Sequence, residues 1–123
     1  MSETQSVRDH LPLPGLAFQV LLVLAAGDNH GYGIAKEAEA NTFGRTRVGT
    51  GSLYLSMAKL ADQGLIEQCP APPSSRDRRR RYFHLTDFGR QVASAEAGRL
   101  ASLVRIAGER NLLRPGVLGA QEA

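Results

Sequence analysis

Five arginines fall at positions 76, 78, 79, 80 and 81, inside the run Ser74-Ser75-Arg76-Asp77-Arg78-Arg79-Arg80-Arg81. A guanidinium presents a planar fork of N–H donors that matches two phosphate oxygens at once, and it is accepted by a narrow A·T minor groove. Such a run is either a solvated charged face or a nucleic-acid contact, and its neighbours decide which. A second group of candidates lies in Gly49–Gln63, where Thr50, Ser52, Tyr54 and Lys59 carry three hydroxyls and one ammonium that could meet phosphates or base edges. Other chemistry has little material. His10, His30, His84 and Cys69 are scattered and show no metal-ligand spacing. No serine sits in a nucleophile-elbow pattern, so neither a catalytic nor a metal site is expected. Gly31 and Gly33 suggest a phosphate loop, but neither a preceding strand nor a Gly-Lys-Ser/Thr ending accompanies them, and a tight helix–helix turn fits better. His30 beside that turn reads as a capping or packing residue.

Composition narrows the partners. The 123 residues suit one domain, 42% of them hydrophobic and 22% charged, with a net charge of +3. That excess is mild, but it is gathered in one place, and local concentration governs contact with a polyanion. Cys69 is the sole cysteine, which leaves no disulfide framework and suits a reducing cytoplasm. Leu11–Ala26 is strongly apolar, yet it contains Pro12, Pro14 and Gln19, is shorter than a membrane span, and has no basic segment before it. Neither a span nor a signal peptide is expected.

The elements that must position the candidates follow from spacing. In Gly49–Gln63, Leu53, Met57, Leu60 and Ala61 recur at helical spacing and point to a core. At roughly 100° per residue, Ser52, Leu55, Lys59 and Asp62 fall on the opposite side. Thr50 or Ser52 can cap the start, and Gly64 ends the helix. Ile66–Gln68 reads as a strand ended by Pro70, Pro72 and Pro73, and Arg81–Leu85 reads as the return strand. Ser74–Arg81 is the loop between them. Helix, strand, basic loop, strand is the layout of a winged helix; an ordinary amphipathic helix beside a hairpin is the alternative.

Upstream, Met1–His10 is polar and expected to be a loose arm. Pro14 and Gly15 open a helix over Leu16–Ala26 that is apolar on nearly all sides, so it needs cover from its own domain or from a second chain. A second helix runs from the Asp28–Gly33 turn to about Thr42, with Ile34, Ala35 and Ala38 inward. Arg47-Val48 leaves room for a stub of strand. Downstream, Thr86-Asp87 starts a helix through Asn111. Along it Ala93, Ala97, Leu100, Val104 and Ala107 follow a 4-3-4-3 spacing, a seam for a partner helix unless the helix folds back on its own domain.

In order and spacing, His30-Gly31-Tyr32-Gly33-Ile34, Gly49-Thr50-Gly51-Ser52-Leu53-Tyr54, Leu60-Ala61-Asp62-Gln63-Gly64-Leu65-Ile66 and Arg80-Arg81-Tyr82-Phe83-His84-Leu85-Thr86-Asp87-Phe88-Gly89 resemble the PadR family of winged-helix transcriptional regulators. The resemblance covers roughly residues 11–113. It implies a DNA-binding homodimer, usually a repressor, held by a single C-terminal helix and responsive to a small molecule at or near the dimer interface. One departure is visible: after Leu53-Tyr54 the family often carries arginine or proline, whereas Leu55-Ser56-Met57-Ala58 stands here and Lys59 is the helix's only cation.

The resulting expectation is a mainly α fold with a small β-hairpin wing. It divides into an arm (1–10), a winged helix-turn-helix (11–86), a dimerisation helix (87–113) and a tail (114–123). Thr50, Ser52, Tyr54, Lys59, Arg76, Arg78, Arg79 and Arg80 are expected at DNA. Leu16, Val20, Ala93, Ala97, Leu100, Val104 and Ala107 are expected at a dimer interface, with no cofactor. A winged helix used as a protein-interaction module is the competing reading, which salt-dependent duplex binding would separate from the first.

Overall fold

A computed structural model describes residues 6–42, 47–75 and 79–114. Its elements run α1 (Gly15–Ala25), β1 (Asn29–His30), α2 (Gly31–Asn41), α3 (Thr50–Asp62), β2 (Ile66–Cys69), β3 (Tyr82–Leu85) and α4 (Asp87–Glu109), preceded by a single 3-10 turn at Val7–His10. The fold is mainly helical with a small antiparallel sheet, as the sequence pattern requires.

The core is the meeting point of all four helices and the sheet. Val20, Leu21, Val23 and Leu24 of α1 pack with Ile34 of α2, Leu53, Met57 and Leu60 of α3, Leu65, Ile66, Leu85, and Val92 of α4. The apolar α1 is therefore covered chiefly by its own domain. Of its large apolar side chains only Leu22 stays open, at 40% exposure. Val20 was expected at a dimer interface, but it is fully buried within the chain and offers a partner no surface. Leu16 is half-buried at the rim. On α3, Leu53, Met57 and Leu60 face inward as expected, whereas Ala61 is exposed because its position falls at the edge of the apolar stripe.

The sheet has the order β1-β3-β2, so the return strand is central. Register sets Ile66 against Leu85 and Cys69 against Tyr82 in the hairpin. On the other side, Asn29 pairs with Phe83 and His30 with Tyr82. The additional strand stub thus lies at Asn29–His30, not at Arg47-Val48, where Val48 N–H instead donates to the Glu39 carboxylate at 3.1 Å.

Caps explain the boundaries. α3 begins with Gly49 at the N-cap and no side-chain cap bond, so neither Thr50 nor Ser52 caps it; Thr50 is already the first helical residue. Gly64 adopts φ +77, a left-handed turn open to glycine without a Cβ clash. α4 is capped by Thr86, whose hydroxyl accepts from Gly89 N–H at 2.9 Å and lies 2.6 Å from the Gly64 carbonyl. One side chain therefore ties the start of α4 to the end of α3. Residues 7–10, expected as part of a loose arm, instead turn against α4, and His10 is buried edge-on to Phe88 at 5.4 Å between ring centroids.

Candidate nucleic-acid interface

α3 offers one polar face. Ser52, Leu55, Lys59 and Asp62 are exposed, opposite the buried Leu53, Met57 and Leu60, as the periodicity requires. Thr50 is exposed at the first turn. Tyr54 stands at the flank, 52% exposed. It leans on the start of α2, where Gly31 leaves the space: a Cβ there would come within 2.6 Å of the Tyr54 hydroxyl oxygen. Gly31 thus lets the half-exposed Tyr54 ring lie directly against the start of α2.

The wing contributes from the other side. Arg76 and Arg78 lie outside the described residues. Arg79, Arg80 and Arg81 are exposed. Together with His30, Gly31, Tyr32, Tyr54 and Phe83 they line a cleft of about 430 Å³. The structure therefore brings Tyr54, Arg79 and Arg80 together, while Ser52 and Lys59 lie along the neighbouring helix face. The cleft combines guanidinium groups, two phenolic hydroxyls and the positive end of the α2 dipole, and that set suits a phosphate.

Arg80 lies over Tyr32 and His30. Its guanidinium sits 5.6 Å from the Tyr32 ring centroid, and Nη1 lies 2.9 Å from His30 Nε2 and 3.2 Å from Nδ1. Tyr32 in turn stacks parallel to the His30 ring at 6.5 Å, with Lys36 Nζ 5.8 Å from its centroid. His30 is the N-cap of α2, its Nδ1 accepting from Gly33 N–H at 3.1 Å. The capping role read from the sequence is thus the one observed. Burial first, and then the charge of Arg80, push the His30 pKa below its ordinary value. The ring is kept neutral, which an accepting Nδ1 requires. Tyr32 and Arg81 were not among the sequence candidates. The Gly31-Tyr32-Gly33 motif was visible, but which ring would face the wing depended on strand pairing.

A second polar group gathers around Asp28, on the sheet face that His30, Tyr82 and Cys69 share. His84 Nδ1 is 2.8 Å from Asp28 Oδ1, and the Cys69 thiol is 3.7 Å from Asp28 Oδ2. The hydrogen bond to Asp28 raises the His84 pKa despite opposing desolvation. Burial, followed by the Asp28 charge, raises that of Cys69, so its thiol is held in the protonated, less nucleophilic form. Among the described residues no group of three His, Cys, Asp or Glu side chains could hold a metal ion.

α4 behaves differently along its length. Gly89, Val92 and Glu96 are buried, Gly89 against the Leu65 carbonyl, and the helix as a whole packs on α1 and the 3-10 turn. Glu96 is 1% exposed and accepts two hydrogen bonds from Arg99, at 2.8 and 2.7 Å. Arg99 first, with a further hydrogen bond from the Leu13 backbone, lowers the Glu96 pKa against the opposing effect of burial. Beyond Arg99 none of the helix is buried. Of the expected seam, Ala93 packs against its own core, Ala97 is exposed, and Leu100, Val104 and Ala107 are half-buried. Leu103 and Ile106 are 50% and 37% exposed. The open apolar surface thus lies on the distal half of α4.

Comparison with known proteins bears on all of this. The sequence profile described as Transcriptional regulator PadR-like family matches residues 20–95. No match was found among curated proteins. Solved structures share the fold. A transcriptional regulator from Clostridium thermocellum is 20% identical, with a TM-score of 0.65 over 89% of this chain and 95% of its own. A PadR family transcription regulator from Clostridium difficile R20291 is also 20% identical, with a TM-score of 0.67 over 78% and 97%. Bacillus subtilis PadR, solved in complex with operator DNA, is 23% identical, with a TM-score of 0.57 over 68% of this chain and 47% of its own.

Proposed function

Because this chain belongs to the PadR-like family of transcriptional regulators, we propose that it binds double-stranded operator DNA as a homodimer and represses transcription there. The observation that carries the reading is the cleft in which Tyr54 of α3, Tyr32 of α2 and Arg79–Arg81 of the wing converge beside the outward face of α3. In this reading α3 enters the major groove, with Ser52 and Lys59 at base edges or phosphates and Thr50 at the backbone. The cleft then grips a flanking phosphate, and Arg76 and Arg78 extend the contact along the wing. One copy of a helix with a single lysine binds weakly, so two copies on successive major grooves, roughly 34 Å apart, supply the affinity.

The dimer rests on the distal half of α4, where Leu100, Leu103, Val104, Ile106 and Ala107 offer apolar surface, with Leu22 of α1 and the rim residue Leu16 also open. Ala97 contributes a small side chain that permits close approach. In this reading a small-molecule effector acts at or near the same interface. No helix among the described residues is long and apolar enough to cross a membrane, and we place the protein in the cytoplasm, where its operator would be.

The test is duplex binding measured against salt. Replacing Arg79 and Arg81 by alanine should weaken binding to every sequence alike and reduce the slope of log affinity against log salt by about one unit per lost phosphate contact. An unchanged slope would show that the arginines are only a solvated tip.

A further inference from the structure

The outward face of α3 carries a side chain that neither the core nor the phosphate cleft uses. Leu55 is 76% exposed. It sits one turn after Ser52 and one turn before Lys59, opposite the buried Leu53, Met57 and Leu60. Its neighbours on that face, Gly51, Ser52 and Ala58, are small and exposed, so the leucine protrudes and the backbone around it can come close to a surface.

The rest of the helix limits what the face can read. Thr50–Asp62 contains no arginine, asparagine or glutamine. Of the side chains that recognise guanine or adenine through paired hydrogen bonds, the helix holds only Lys59. Ser52 can bond to any base, and Lys59 lies further along, in the last turn. The DNA side is limited too. In the major groove the four base pairs present donors, acceptors and one apolar group, the C5-methyl of thymine. An exposed leucine on the N-terminal half of a helix in that groove has one apolar partner available.

From this complementarity we infer that Leu55 is a specificity-determining residue that reads thymine methyl groups in each operator half-site. The inference rests on the DNA-binding reading above and adds the base it selects. Recognition here is apolar contact plus one hydroxyl, in place of charged bidentate readout, and each half-site carries thymine at the position under Leu55.

The experiment begins by selecting bound sequences from a random duplex pool with the whole protein. Each thymine of the selected duplex is then replaced singly by uracil, which removes the methyl and leaves every hydrogen-bonding group in place. Affinities are measured at one fixed salt concentration. Uracil at one or two positions per half-site should weaken the wild-type protein about fourfold per methyl, the effect of one buried methyl-sized group. Leu55→Ala should fold normally, as its thermal melt will show. It should bind the thymine duplex about as weakly as the wild type binds the uracil duplex, and it should no longer distinguish the two. If uracil costs nothing, or costs Leu55→Ala as much as the wild type, Leu55 reads no methyl, although operator binding itself stands. If the pool yields no bound sequence, the DNA-binding reading falls with the inference, and Leu55 faces a protein partner instead.

Discussion

Gly89→Ala and Gly98→Ala make the same chemical change on the same helix and should have opposite signs. Alanine is the better helix former by about 1 kcal/mol, so both would stabilise α4 if nothing else intervened. At Gly98 nothing lies within 4 Å of an added Cβ, and the gain should appear nearly whole. At Gly89 the added Cβ collides with the Leu65 carbonyl oxygen and comes within 2.8 Å of its carbon and 2.9 Å of Leu85 Cδ1. That carbonyl accepts from Thr86 N–H at 3.2 Å and lies 3.1 Å from the Thr86 hydroxyl oxygen, whose proton has the Gly64 carbonyl at 2.6 Å as its nearer acceptor. Relief requires moving backbone at the joint of α3, β2 and α4, because no flexible side-chain tip can give way. Overpacking of this kind costs about 1–3 kcal/mol, and a weakened hydrogen bond adds about 0.5–1.5 kcal/mol. Less the propensity gain, Gly89→Ala should destabilise by about 0.5–3.5 kcal/mol. The assay is urea denaturation of both variants at one protein concentration, since the stability of the proposed dimer would depend on concentration. Midpoints that shift in the same direction would refute the claim that the Leu65 carbonyl packs against Gly89.

Leu100→Asp places a carboxylate among the half-buried residues of distal α4, where an unpaired charge is costly to desolvate; the variant should sediment as a monomer or aggregate and lose operator binding, and a dimer with normal binding would locate the interface elsewhere. Glu96→Ala removes the acceptor of two Arg99 bonds and of the Leu13 N–H from a buried site, and should cost about 1.5–3 kcal/mol by denaturation. Because the folded pKa of Glu96 is depressed, its contribution is full above the unfolded carboxylate value and is lost as pH falls through the folded one. His30 has a lowered pKa, so its neutral cap supports the fold fully above the ordinary histidine value of 6.5, and that support is lost as pH falls below it through the lowered folded value. His84, raised by Asp28, works the other way, its contribution being full below 6.5 and lost as pH climbs through the raised folded value. His30→Asn keeps a capping acceptor that does not titrate and should flatten the acid side of the stability profile; an unchanged profile would mean that the cap is not the titrating element.

The sequence alone was enough to place the four helices, the hairpin and the inward face of α3, because each is written in local spacing. Leu53, Met57 and Leu60 share a face by helical geometry, Thr86 caps by a bond three residues long, and Gly64 supplies a left-handed turn. The PadR-like family was legible for the same reason, its motifs being contiguous. What depended on tertiary structure are features made by residues far apart in the chain. Asn29–His30 is a strand only because β3 pairs with it, since two polar residues carry no strand period of their own. Val20 and Leu22 are both apolar residues of α1, and only the packing of the other helices buries the first and leaves the second open. Glu96 is buried only because its helix lies on α1 and beside Leu13, while Arg99, one turn along the same helix, pairs with it locally. The cleft at the wing joins Tyr32, Tyr54 and Arg79–Arg81 across the fold. No periodicity encodes that meeting; it follows from strand register and from the close approach that Gly31 allows.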